Sequence, residues 1–171
     1  MIVTIWRHGE AANTAPDENR RLTPAGQDAL KRAAAQFVDF LAKSGLSAPR
    51  EIFHSPLTRT TETALILADH LKVDATVYAG LAPEASTPQG MIKWLDQQQG
   101  EHQFLVGHQP FVSSLIWYFL DDHALPPCCR AGMRPSSYPI LSGALDQLFE
   151  AAPIRCSVRH PEGPFGQVVR S

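Results

Sequence analysis

Three short segments carry the side chains best suited to chemistry: Arg7-His8-Gly9-Glu10, Ser55-Pro56-Leu57-Thr58-Arg59 and Val106-Gly107-His108-Gln109-Pro110. A neutral imidazole is a nucleophile or proton carrier near neutral pH. A guanidinium presents a planar fork of donors to an oxyanion and stays charged at any working pH. Two of each, if they converge, could surround one tetrahedral anion. Each segment alone has a plainer reading. Arg-His after a strand is commonly an ordinary loop, Ser-Pro before a helix is commonly a cap, and Gly-His is a turn with an exposed ring. What sets them apart is that all three fall where a buried strand gives way to a loop or helix. In parallel α/β sheets, ligands bind at the carboxyl ends of the strands.

The elements that must position them are legible in outline. Residues 1–6, MIVTIW, form a mostly apolar run that reads as a buried strand ending at Arg7. Residues 9–21 are polar, contain Pro16, and read as a loop. Thr23-Pro24 opens a helix with an N-cap oxygen and a proline at its first position, Leu30, Phe37 and Leu41 share its apolar face, and Gly45 stops it. Ser55-Pro56, after a short strand at 51–53, is expected to open a second helix. Thr87-Pro88 is expected to open a third that stops near Gly100. Residues 103–106 read as another buried strand and 110–120 as a buried helix. Late strands are expected at 140–149 and 154–158, with a long loop over 121–139. Strands alternating with helices predict an α/β three-layer sandwich, a mostly parallel central sheet with helices on both faces, as a single domain over residues 1–171.

Composition narrows the classes. The chain has 171 residues and a net charge of −2, which gives no bulk electrostatic reason for a nucleic-acid or anionic-membrane partner. No basic segment followed by a long apolar run opens the sequence, and the apolar run at 115–120 is too short to span a bilayer. The three cysteines, Cys128, Cys129 and Cys156, make a poor disulfide framework. A cytoplasmic protein is the expectation. The seven histidines and three cysteines show no metal-ligand spacing, so no metal or other cofactor is expected. His54, His70, His102, His123 and His160 read as scattered surface or structural residues. Oligomeric state is not legible.

Together, the R-H-G turn after the first strand, Leu22-Thr23-Pro24-Ala25-Gly26, the S-P-x-x-R segment and the later G-H turn resemble the histidine phosphatase superfamily, whose motifs occur in this order. Within it the chain looks most like the SixA-type phosphohistidine phosphatases. Its length is close to minimal, which implies a minimal cap. Ala11 follows the R-H-G-E turn, where phosphoglycerate mutases usually carry Ser or Thr.

The resemblance implies that His8 is the nucleophile, that Arg7 and Arg59 clamp the phosphoryl oxygens, and that His108 is a further donor to them. Arg20 is a candidate fourth contact, in Arg20-Arg21-Leu22-Thr23 where the family usually has R-P-L-T. Nearby guanidiniums should keep His8 neutral, with its second ring nitrogen held by an acceptor such as a backbone carbonyl. A phosphate dianion should favour a protonated His108, pushing the two histidine pKa values apart. Glu84 is the candidate general acid, in the region where phosphomonoesterases of the superfamily carry one; the SixA-type branch typically has none there. Glu10 is a second acidic candidate, read as bracing the turn. The implied partner is a phosphorylated protein, for instance a histidine-containing phosphotransfer domain, or a small phosphoester. A phosphomonoesterase using Glu84 and a non-catalytic phosphate-binding module remain as alternatives.

Overall fold

A computed structural model describes residues 2–112, 114–115 and 168–169. Four parallel strands, β1 (Ile2–Arg7), β2 (Glu51–His54), β3 (Asp74–Val77) and β4 (His102–Gly107), form the sheet. A short strand β5 (Val168–Val169) pairs antiparallel with β1. The order across the sheet is β3-β2-β4-β1-β5, so β4 is inserted between β1 and β2. All four parallel strands end on one edge of the sheet. In register, Arg7 stands opposite Gly107, and His54 opposite Val106.

Side chains alternate across the sheet, and each face has its own core. On one face Trp6, Ile52, Phe104 and Val106 pack under α1 (Pro24–Ser44) and α2 (Thr58–Leu71), against Leu30, Phe37, Leu41, Ala64 and Leu67. Phe37 meets Trp6 and Phe104 edge-on, with ring centroids 5.8 and 5.4 Å away. Truncating so enclosed a ring to Ala costs about 3–5 kcal/mol. On the other face Val3, Ile5, Phe53 and Leu105 pack against Leu81, α3 (Pro88–Leu95) and residues 112 and 115. The expected three-layer α/β architecture is therefore present.

The caps of α1 and α3 follow the sequence reading. The Thr23 hydroxyl accepts from Gly26 N–H at 2.9 Å and the Thr87 hydroxyl from Gly90 N–H at 3.1 Å. Gly45 ends α1 in the left-handed region at φ 62°.

Three expectations need correction. α2 begins at Thr58 with Leu57 at the cap, so Ser55-Pro56 precedes the helix and does not open it. α3 ends at Leu95, short of Gly100. β3, absent from the sequence reading, is a partly exposed edge strand with no apolar run to announce it. Within the expected loop at 9–21, Asp17–Asn19 make one 3-10 turn. Of the expected helix at 110–120, residues 111–112 and 114–115 are helical. The expected late strands, the loop at 121–139, the three cysteines, His123 and His160 lie outside the described residues.

Candidate active site

The strand ends deliver the side chains. Arg7 closes β1; the His8 N–H that follows donates to Gly107 O at 3.1 Å, and the Ser55 N–H after β2 donates to Val106 O at 3.2 Å. His108 leaves β4, and its carbonyl accepts from Val112 N–H at 2.9 Å. The His8 turn is also fastened to α2. Gly9 N–H donates to Thr63 Oγ1 at 3.1 Å, and that hydroxyl donates to Arg59 O at 2.6 Å. Arg59, one turn earlier on the helix, is thereby fixed relative to His8.

Two glycines permit this close approach. A Cβ at Gly9 would lie 2.5 Å from Leu30 Cδ1 and 3.0 Å from its Cγ, and Leu30 is wholly buried. A Cβ at Gly26 would overlap the Glu10 carbonyl oxygen, the same oxygen that accepts Thr23 N–H at 3.0 Å. The L-T-x-x-G element thus places the first turn of α1 directly against the His8 loop.

The His8 and His108 rings are neighbours, with centroids 5.2 Å apart. His8 Nδ1 donates to Gly9 O at 2.7 Å. A carbonyl can only accept, so Nδ1 carries the proton and Nε2 keeps its lone pair. Burial, followed by the charges of Arg7, Arg59 and Arg20, lowers the His8 pKa from 6.5 to about 4. The expected neutral imidazole and its backbone acceptor are both present. Without a phosphate dianion beside it, His108 is also held neutral. Its pKa is lowered as well, from 6.5 to about 3, chiefly by burial and then by His8 and Arg59. In the protein by itself the two values are not pushed apart, because burial and the same guanidiniums act on both rings.

Arg59 is 6% exposed, and among the described residues its guanidinium is held by Asp17. Its Nη1 donates to Asp17 O at 2.7 Å and its Nη2 to Asp17 Oδ2 at 3.0 Å. Arg20 shares that carboxylate, donating from Nη1 to Oδ1 at 3.0 Å and from Nε to Ala12 O at 2.7 Å. Arg20 is therefore brought to the same cluster, tethered to the loop before α1. The Arg20 and Arg59 guanidiniums hold the exposed Asp17 carboxyl below its usual range. Arg21, standing where the family usually has proline, pairs with Glu62 at 2.7 Å, and the second Glu62 oxygen accepts Leu22 N–H at 2.8 Å, latching this loop to α2.

Glu84 is not drawn into the cluster. It is exposed on a turn after β3, at φ 62°, and makes no hydrogen bond or ion pair among the described residues. Glu10 is exposed, and its carbonyl rather than its carboxylate braces the turn. His54 is buried against Ser55 O at 2.8 Å, and His102 bonds Thr4 at 2.8 Å and Ser47 O at 2.7 Å, so both are structural. Sequence reasoning missed Asp17, which carries no motif, and Thr63, whose spacing of four from Arg59 was the available signal. It also missed the Ser55 hydroxyl, which lies 2.7 Å from His108 Nε2.

A model of the histidine phosphatase superfamily (branch 1) matches residues 3–83, a span that holds Arg7, His8, Arg20 and Arg59 in the geometry above. Over this span, just under half of the chain, the sequence is similar to the histidine phosphatase superfamily. The match supports the coarse activity, phosphatase chemistry through a histidine. His108 lies beyond the matched span; the end of β4 brings it beside the superfamily's histidine turn. Solved structures of similar fold include SixA from Agrobacterium tumefaciens, assigned as a phosphohistidine phosphatase. It is 22% identical, with 81% of this chain and 86% of that one covered and a TM-score of 0.64. The protein histidine phosphatase SixA complexed with tungstate is 24% identical over 82% and 83% of the two chains, with a TM-score of 0.58. A phosphoglycerate mutase from Plasmodium falciparum is 18% identical over 81% and 76%, with a TM-score of 0.55. These likenesses establish a shared fold. No curated protein matches the sequence. Among the described residues, no three His, Cys, Asp or Glu side chains gather as a metal-binding group, and no helix is long and apolar enough to cross a membrane.

Proposed function

We propose that this protein hydrolyses phosphohistidine in a phosphorylated protein, such as a histidine-containing phosphotransfer domain, through a phosphoryl group carried on His8. The observation that carries the reading is the His8 Nδ1–H bond to Gly9 O, which leaves the Nε2 lone pair available beside His108. In the first step Nε2 forms a bond to phosphorus as the bond to the leaving group breaks. The positive charge that develops on the ring is met by the Gly9 carbonyl. In the second step water attacks phosphorus, the P–Nε2 bond breaks and orthophosphate leaves. Arg7, Arg59 and His108 are assigned to the phosphoryl oxygens, with Arg20 beside them, because charge stabilisation dominates catalysis of phosphoryl transfer. Tungstate, a tetrahedral oxyanion, is the ligand of one SixA structure of this fold, which supports an oxyanion at the corresponding place here.

The leaving group decides the substrate class. An alkoxide leaves poorly without a proton donor, whereas the imidazole of a phosphohistidine leaves readily. Glu84 is exposed and unlinked to the cluster, which favours the substrate that needs no strong acid. The test is a substrate panel that includes a phosphorylated histidine-containing protein and p-nitrophenyl phosphate, run with the parent enzyme and with His8→Ala. The parent is expected to prefer the phosphohistidine protein and the variant to be inactive on both. Undiminished hydrolysis by His8→Ala would overturn the reading.

A further inference from the structure

Ser55 is wholly buried, and its hydroxyl sits between two partners. Oγ lies 2.7 Å from His108 Nε2 and accepts Leu57 N–H at 3.3 Å. His108 is 3% exposed, and its Nδ1 is buried with no hydrogen-bond partner among the described residues. Two proton arrangements fit these distances. If Nε2 carried the ring proton it would donate to Oγ. The serine hydrogen would then have no acceptor, and Nδ1 would be a bare lone pair. If the hydroxyl donates to Nε2, Oγ accepts from Leu57 and gives its hydrogen to the ring, and the ring proton resides on Nδ1. The first arrangement leaves two groups unmatched. The second leaves one, and that one is an N–H.

We propose that Ser55 is a positioning residue that holds neutral His108 in its Nδ1–H tautomer, so that the ring offers a donor to phosphoryl oxygens without taking up a second proton. The inference rests on the phosphoryl-transfer reading of the site and goes beyond it. Four groups face His108: His8 and Arg7 from the end of β1, Arg59 from α2, and Asp17 from the 3-10 turn. The first three oppose a second proton on the ring and Asp17 favours one; with burial, the balance holds His108 at about 3. At neutral pH the ring is therefore uncharged. An uncharged imidazole donates through one nitrogen only, and which one is set by the bond the other makes.

Long-range proton–nitrogen correlation spectra of uniformly 15N-labelled protein report the tautomer directly, with His108 assigned by comparison with His108→Asn. The parent protein is expected to show a protonated Nδ1 and a bare Nε2 at His108. Ser55→Ala should move the proton to Nε2. It should also lower kcat about tenfold or more at neutral pH, with no recovery in acid, because His8, at about 4, loses its lone pair before His108, at about 3, can take a second proton. Ser55→Thr, which keeps the hydroxyl, should keep the parent tautomer and kcat. A parent spectrum with the proton on Nε2 would overturn the inference without any variant. So would a Ser55→Ala protein with the parent tautomer and kcat. A parent protein that turns over no phosphorylated substrate would defeat the functional reading, and the spectrum would still decide the tautomer.

Discussion

Arg59 is joined to Asp17 twice, through the aspartate's main-chain carbonyl at 2.7 Å and its carboxylate at 3.0 Å. The carboxylate holds Arg20 with its other oxygen. An anion from within the chain thus engages the two guanidiniums beside the proposed nucleophile. Asp17 sits on an exposed loop turn, so an incoming phosphoryl group competes with a carboxylate that can swing toward water.

Removing that competitor is expected to strengthen oxyanion binding. Asp17→Asn keeps the main-chain bond to Arg59 and discards the charge. Vanadate, whose trigonal-bipyramidal form mimics a phosphoryl group in transfer, should inhibit the variant at lower concentration than the parent, by a few-fold, as befits an exposed ion pair. An unchanged or weaker inhibition constant would show that Asp17 orders the arginines more than it competes for them.

The buried imidazoles make stability depend on pH in a stated direction. His8 titrates at about 4 and His108 at about 3 in the fold, against 6.5 in the unfolded chain, and burial lowers His102 as well. Between 6.5 and these values the unfolded chain binds protons that the folded one refuses. The contribution is therefore complete above 6.5 and is lost as pH falls toward the folded values. Asp17, with an ordinary value of 3.8 that is lowered here, acts only below 3.8, at the acid end of that window. The melting temperature should drop as pH falls from 6.5 toward 4, and His8→Asn should flatten the slope. A flat parent profile would mean that the rings are not held neutral.

The parts of the fold that were legible in the sequence are those whose burial is written in side-chain type. β1 is a nearly continuous apolar run, β4 carries the apolar stretch 104–106, and α1 carries its own start in Thr23-Pro24 and its stop in Gly45. β3, Asp-Ala-Thr-Val at an exposed edge, owes its existence to pairing with β2, which no local pattern records. The same division holds in the site. His8 and Arg59 stand in motifs, whereas Asp17 acquires its partners only when the loop folds over α2. Ser55 was visible and misread: Ser-Pro before a helix fits a cap, but its hydroxyl turns to a ring 53 positions away, a contact set by the β2–β4 pairing.

Gly26 offers a test in which two effects have opposite sign. Ala in place of Gly inside a helix ordinarily stabilises by about 1 kcal/mol. Here the added methyl would overlap the Glu10 carbonyl, a backbone atom that cannot step aside without moving the His8 loop. Gly26→Ala is expected to destabilise by about 1–3 kcal/mol and to lower activity with it. Chemical denaturation would read the first effect, and a gain in stability would show that the loop has slack.

Glu84 divides the substrate classes. With its carboxylate exposed and unpartnered among the described residues, Glu84→Gln is expected to leave phosphohistidine hydrolysis within about twofold of the parent, since surface substitutions are usually within ±0.5 kcal/mol. Loss of activity confined to p-nitrophenyl phosphate would identify Glu84 as the acid of an esterase and favour a small phosphoester as substrate.

The central claim is that the phosphoryl group passes through Nε2 of His8. Mixing the parent enzyme briefly with a phosphorylated histidine-containing protein, quenching rapidly and locating the phosphate by mass spectrometry tests it most directly. The expected result is an acid-labile, alkali-stable phosphate on His8 that forms and decays within a turnover and is missing from His8→Ala. Steady turnover with no phosphate ever found on His8 would contradict it.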